Sequence, residues 1–385
     1  MMIRKLFYAL AALIALILLL STGVLAQSGS VAREDAVVQA GVPFLLTGPD
    51  ARSGGMGDVG AATTPDINAI HWNPSKLAFL RDSAGVSISY SPWLSQLISD
   101  MYLAYVNGYY RLDDRNVLGI SLRYFSAGNL EQRVGPDDSP TVFNPNEFAI
   151  DGTFSRRFGE VFSLGTSIRF IRSNLSDGQI TQGQYAKPGT AIAADVSGYY
   201  NKETVFFGKD GLLAFGAVIS NIGNKISYTD GGSKLFLPTN LRLGAAATVF
   251  ESRNEFTLAF DINKLLVPSP PERDAEGNIL RGYNPDKSVP SAIFGSFTDA
   301  PGGFSEELKE IAFSLGGEYV YNKQIALRAG YFYENPDKGN RRYLTLGAGF
   351  RYGQFNLDFS YLPGSQQKSP LANTLRFSLA FNIKK

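Results

Sequence analysis

Hydrophobic and polar positions alternate without a break over the stretch 373–383, where Leu375, Phe377, Leu379, Phe381 and Ile383 take every second place and Thr374, Arg376, Ser378, Ala380 and Asn382 fill the others. A period of two sorts the two sets onto opposite faces of a β-strand. A run of this length suits a tilted strand crossing a bilayer, which needs about 9–11 residues, better than a soluble strand of about 5–6. The pattern recurs upstream. It predicts strands at 84–91, 100–112, 115–127, 146–158, 161–174, 190–200, 211–222, 238–250, 254–265, 311–321, 324–334, 341–352, 354–362 and 373–383. Leu118, Ile120, Leu122 and Tyr124 oppose Ser121 and Arg123. Phe162, Leu164, Ile168 and Phe170 oppose Ser163, Ser167 and Arg169. Phe355, Leu357, Phe359 and Tyr361 oppose Asn356, Asp358 and Ser360. One face is fit for lipid and the other for a polar lumen.

The connections carry a second signal. Asp113-Asp114, Gly159-Glu160, 251–253, Asn322-Lys323 and Gly353 are short and follow even-numbered strands, with 201–210 somewhat longer in the same series. The long connections, 92–99, 128–145, 175–189, 223–237, 266–310, 335–340 and 363–372, follow odd-numbered strands. Periplasmic turns and extracellular loops alternate in this way. The pattern predicts an all-β fold: a fourteen-stranded antiparallel transmembrane outer-membrane β-barrel over 84–385, with both termini periplasmic.

Two segments precede the barrel. Arg4 and Lys5 followed by the apolar run 6–20 and by Val24-Leu25-Ala26 read as a signal peptide over 1–26. An N-terminal anchor helix is the alternative, but the apolar run is short for a span. Residues 27–83 are Gly-rich and not strand-like. A short helix is expected near Pro74 with Asn73 as its N-cap. A segment of this size ahead of a wide barrel is expected to fold into the lumen as a plug. The longest loop, 266–310, opens Leu266-Val267-Pro268-Ser269-Pro270-Pro271. It then carries Phe294, Phe297 and a short helix from Phe304 with Ser305 as N-cap. Its aromatics imply order against the barrel mouth or a partner.

Composition narrows the chemistry. The net charge is +1, which gives no reason to expect nucleic acid. There is no Cys and one His, so thiolate chemistry is absent and a His-based metal site is nearly excluded. Gly, Tyr and Phe are abundant at 40, 19 and 27. No metal, cofactor or catalytic set is expected. His71 reads as a hydrogen-bonded plug residue rather than a base. Gly54, Gly55, Gly57 and Gly60 read as plug turns, because no strand precedes them and no G-K-S/T follows. Asp113-Asp114 reads as turn chemistry, and Asp137-Asp138 as an outer-loop pair that could hold a cation. Arg123, Arg169 and Arg376 are expected to pair with lumen acids such as Asp151 and Asp358. Tyr90, Tyr109, Tyr110, Tyr199, Tyr200, Tyr331 and Tyr333 are expected in interfacial girdles.

Trp72-Asn73-Pro74 within W-N-P-S-K-L-A-F, placed ahead of fourteen strands, resembles the hatch of the FadL family of transporters for hydrophobic compounds; Ser75 stands where that family has Ala. A closer resemblance is to the PorV family (also called LptO), the FadL-like component of the type IX secretion system. It rests on P-D-A-R-S-G-G-M-G-D (49–58), H-W-N-P-S-K-L-A-F (71–79), S-N-I-G-N-K-I-S-Y (220–228), F-L-P-T-N-L-R-L-G (236–244), F-D-I-N-K-L-L-V-P-S-P-P (260–271), S-F-T-D-A-P-G-G-F-S-E-E-L (296–308), L-R-A-G-Y-F-Y-E-N (327–335) and S-P-L-A-N-T-L-R-F-S (369–378). The resemblance implies a non-enzymatic role in protein export. Cargo would be received by its C-terminal domain at a giant outer-membrane translocon barrel and passed to a sortase-like surface protease in an attachment complex. The expected contact residues are Val267, Pro268, Pro270, Pro271, Phe294, Phe297 and Phe304, with outer-membrane lipid around the wall. Two other readings stay open: FadL-like transport of hydrophobic small molecules, and lipopolysaccharide O-deacylation.

Overall fold

In the computed structural model, residues 37–93, 100–132, 139, 141–175, 180–181, 184–363 and 373–384 are described. The signal segment and Asp137-Asp138 lie outside them. Fourteen strands pair in chain order into a closed antiparallel barrel, the last strand against the first. They are β1 Ala84–Pro92, β2 Tyr102–Arg111, β3 Asn116–Ser126, β4 Asn146–Phe158, β5 Phe162–Asn174, β6 Gly189–Phe206, β7 Lys209–Gly223, β8 Asn240–Glu251, β9 Asn254–Leu265, β10 Ile311–Tyr321, β11 Ile325–Tyr333, β12 Arg342–Tyr352, β13 Phe355–Leu362 and β14 Thr374–Ile383. Closure pairs every strand on both sides, as backbone surrounded by hydrocarbon requires.

The period-two reading locates all fourteen strands. Its main departure is at 201–210. There β6 and β7 run on, and only Phe207-Gly208 turns the chain. The polar residues of 201–206 hid the continuation, because a strand beyond the bilayer has no need of an apolar face. All connections after even-numbered strands are therefore tight.

The faces follow the alternation. Ile120, Ile168 and Leu357 point outward and are exposed, while Ser121, Arg123, Ser167 and Arg169 point inward and are buried. Two tyrosines depart from the expected girdle. Tyr109 and Tyr199 are buried on the inward face. Tyr199 meets Phe79 edge-on at 5.5 Å, and Tyr109 packs in a cluster with Ile70 and Leu77. Tyr90 and Tyr110, on the outward face, are exposed. A tyrosine near a strand end thus serves the girdle or the lumen according to its parity.

Candidate functional site

The segment before β1 fills the lumen. Its buried apolar side chains include Val42, Phe44, Leu45, Met56, Val59, Ile70, Trp72 and Leu77. Its elements are short: helical turns at Ala51–Gly54 and Ala69–Trp72 and a 3-10 turn at Pro74–Phe79. So little regular structure leaves many backbone groups without partners of their own, and the barrel wall supplies them.

Three seats on the inward face do this. On β7, β8 and β9 the paired row Gly216, Gly244 and Asp261 receives Gly60-Ala61. Asp261 Oδ2 accepts from the amides of Gly60 at 2.8 Å and Ala61 at 2.9 Å. On β10, β11 and β12 the row Gly316, Gly330 and Thr345 receives Met56-Gly57, and the Gly57 amide donates to Thr345 Oγ1 at 2.8 Å. Gly57 has φ +72°, a conformation open to glycine at little cost. On β4, β5 and β6 the row Ser155, Gly165 and Ser197 receives Pro74-Ser75. The Ser75 amide donates to Ser197 Oγ at 3.0 Å, and the Ser75 carbonyl accepts from Ser155 Oγ at 3.0 Å and Ser163 Oγ at 2.7 Å. In each seat wall glycines let two backbones touch: a Cβ on Gly165, Gly216, Gly316 or Gly330 would overlap plug backbone.

The three expected signature residues are brought together here. Asn73 caps the 3-10 turn by accepting from the Ser75 amide, and its Nδ2 donates to Ala61 O at 2.8 Å and Gly198 O at 3.2 Å. Pro74 begins the turn, where a missing amide proton costs little. The Trp72 indole donates to Asp50 at 2.5 Å, and its ring lies 4.5 Å below the Arg242 guanidinium. Asn73 thus links two of the seats.

Charges tie plug to wall. Arg52 of the plug binds Asp66 at 2.6 Å and Glu318 of β10 at 2.8 Å; Glu318 also takes Arg328 at 2.6 Å, and Arg328 reaches Asp358 at 2.8 Å. The lumen arginines distribute differently from expectation. Arg169 does pair with Asp151, at 2.5 Å, and with Asp195 at 2.9 Å. Arg376 binds the plug's Asp58 at 2.6 Å. Among the described residues Arg123 meets no carboxylate in a salt bridge; it donates to Leu45 O at 2.9 Å and lies 2.5 Å from His71 Nδ1. The partners missed by the pairing argument belong to the plug, which pattern along the strands cannot place. His71 is thus hydrogen-bonded within the plug–wall boundary.

The loop 266–310 forms the second part of the site. It holds a small hairpin, Glu272–Arg273 with Ile279–Arg281, and helices Val289–Gly295 and Phe304–Lys309. A cluster of ion pairs ties its base down. Lys264 binds Glu307 and Glu310, each at 2.8 Å. Lys338 binds Glu306 at 2.6 Å and Glu310 at 3.0 Å, and Ser269 Oγ donates to Glu310 at 2.7 Å. Burial holds the Asp299 carboxyl above its usual range, where it accepts from the Ser269 amide. Gly303 takes the N-cap position of the last helix, and Ser305 Oγ donates instead to Gly302 O.

The expected contact residues divide. Val267 and Pro268 are buried, and Pro270 and Pro271 half-buried, so the proline-rich opening anchors the loop and presents little of itself. Phe294 and Phe304 stand 79% and 77% exposed, and Phe297 45%. Phe294 and Phe304 are thus mostly open to solvent, and Phe297 about half. Leu280 and Tyr283 join them at 64% and 60%; the charged residues around these two masked them in the sequence. Among the described residues no cluster of His, Cys, Asp and Glu is suited to a metal ion.

Closed barrel, lumenal plug and outward apolar band together define an outer-membrane β-barrel. The family model for the type IX secretion system protein PorV matches residues 30–272, and the chain belongs to that family. The match spans the plug, β1 to β9 and the start of the long loop. No curated protein matches by sequence. In fold the chain is similar to the P. putida toluene transporter TodX, with TM-score 0.53 at 14% identity, covering 88% of this chain and 99% of that one. The Ralstonia pickettii toluene transporter TbuX (TM-score 0.47, 14% identity, 89% and 99% covered) and a Pseudomonas aeruginosa FadL homologue (0.42, 13%, 90% and 99%) are more distant.

Proposed function

We propose that this type IX secretion component is the acceptor and shuttle for cargo: it takes secreted proteins by their C-terminal domains at the giant translocon barrel and delivers them to the sortase-like protease of the attachment complex. The observation that carries this reading is a long loop held at its base by buried ion pairs and presenting Phe294, Phe297 and Phe304 to solvent. Exposed aromatics on a rigid support mark a protein-binding surface, because they bury large area at small entropic cost. Burying each Phe contributes about 1.5–3 kcal/mol, which would be partly spent on association. In this reading the loop lies on the cell surface and both termini in the periplasm.

The triple variant Phe294→Ser/Phe297→Ser/Phe304→Ser tests it. Purified from native outer membrane in mild detergent, it should fold as the parent does yet recover the translocon barrel and attachment subunits at less than about a tenth of the parent's yield, since ~1.4 kcal/mol is already tenfold. Equal recovery would refute the loop assignment.

FadL-like uptake through the lumen would require the plug to leave three seats that grip its backbone. O-deacylation would require a base that His71, held by Arg123, does not offer. The geometry favours neither.

A further inference from the structure

A groove of about 640 Å³ lies on the outer face of β1–β5, within the size range of small-molecule sites. Its floor follows from one paired row: Val86, Gly108, Ile120, Gly152 and Ile168 sit side by side on successive strands. All five point outward, and the two glycines interrupt the large side chains. A Cβ on Gly152 would meet nothing within 4 Å, and one on Gly108 would meet only Gly85 O at 3.3 Å and Val86 Cγ1 at 3.6 Å. Tyr110, Leu118 and Phe154 wall it toward the end of the barrel that carries the tight turns. On the inner side the same stretch is braced by the plug, with Ile70 and Leu77 against Gly119.

The groove belongs to the band that faces hydrocarbon, so its ordinary neighbour is an acyl chain. What distinguishes it is the charge beside it. Arg156 follows Phe154 by two residues on the same outward face of β4, toward the tight-turn end, and is exposed. Its guanidinium lies 5.7 Å from the Phe158 ring. The neighbouring turn carries two acids: Asp113 is occupied by the amides of Arg115 and Asn116 and by the Asn116 side chain, and Asp114 pairs with Arg111 at 2.9 Å. A cation on the tight-turn side of an apolar trough is complementary to a lipid phosphate whose chain lies in the trough.

We propose that the outer wall of β1–β5 is a specific seat for one glycerophospholipid of the leaflet at the tight-turn end, its acyl chain in the Gly108–Gly152 trough and its phosphate on Arg156. The site is independent of the loop that presents Phe294 and Phe304.

The test uses the full chain, delipidated in detergent, with phosphatidylethanolamine and a free fatty acid added in equal amounts and the complexes weighed by native mass spectrometry. Parent protein should retain a single phospholipid adduct at collision energies that strip the rest. Gly152→Phe, which fills the trough from a position with open space around it, should lower the retained fraction at least fivefold. Arg156→Ala should lower it about threefold. Gly317→Phe, outward on β10 with no atom nearer than 3.9 Å to its added Cβ, should leave it unchanged and reports on overpacking of the barrel in general. Equal retention in Gly152→Phe and parent would overturn the proposal, as would a loss in Gly317→Phe equal to that in Gly152→Phe. Retention of free fatty acid in preference to phospholipid would overturn the phosphate assignment.

Discussion

Glu318→Ala should release the plug from β10 and destabilise the protein by about 3–5 kcal/mol, the usual cost of breaking a buried ion pair from one side. Glu318 is 3% exposed and is the shared acceptor of two guanidiniums, Arg52 of the plug and Arg328 of the wall. Removing it leaves both cations in a lumen where water cannot readily replace the carboxylate. Arg328 keeps Asp358 and Arg52 keeps Asp66, but Asp66 is itself part of the plug. The charge link across the plug–wall boundary at this point is therefore lost outright. Unfolding midpoints in denaturant, read by heat-modifiable gel mobility, should fall accordingly, and trypsin should gain access to Arg52 before the barrel opens. Glu318→Gln, which preserves shape and some hydrogen bonds, should lie between. A midpoint unchanged in Glu318→Ala would mean that the network stabilises nothing.

Gly330→Ala should have a comparable effect through sterics alone. Its Cβ would overlap the Met56 carbonyl carbon and the Gly57 nitrogen, which are backbone atoms and cannot rotate away. Overpacking costs about 1–3 kcal/mol when a neighbour can shift, and here the neighbour is fixed by the Gly57–Thr345 hydrogen bond at 2.8 Å. The expected result is a barrel that assembles with 51–61 displaced and newly open to protease. Gly152→Ala is the matched control, adding the same methyl to an outward site with empty space around it, and should leave both stability and protease pattern unchanged. Equal behaviour of the two variants would contradict the seat.

The contrast between these glycines shows what the sequence could and could not disclose. Strand identity was legible because lipid and lumen impose opposite demands on alternate residues, and Leu375 to Ile383 displays both. Parity also assigned Arg123, Arg169 and Arg376 to the lumen. It offered Asp151, which Arg169 takes, but it could not name the partners of Arg376 and Arg123, since Asp58 and His71 come from a segment with no periodicity. The seats left a faint trace: Gly165, Gly216, Gly316 and Gly330 all fall on inward positions, where most neighbouring inward places carry a side chain into the lumen. A glycine there gives up that side chain, and the reason is the plug backbone pressed against it. In the long loop the aromatics were visible but their direction was not. Val267 turned in and Phe294 out because the loop is anchored at Lys264, Ser269 and Lys338, and ion pairs between distant stretches leave no local pattern.

The most direct test of the central claim is a photo-crosslinking residue at position 304 in the otherwise intact protein, irradiated in living cells. The account predicts covalent products with the translocon barrel, with cargo C-terminal domains, or with attachment-complex subunits, and far fewer of these from the same residue at outward position 317 on β10. Products confined to lipid at both positions would contradict it.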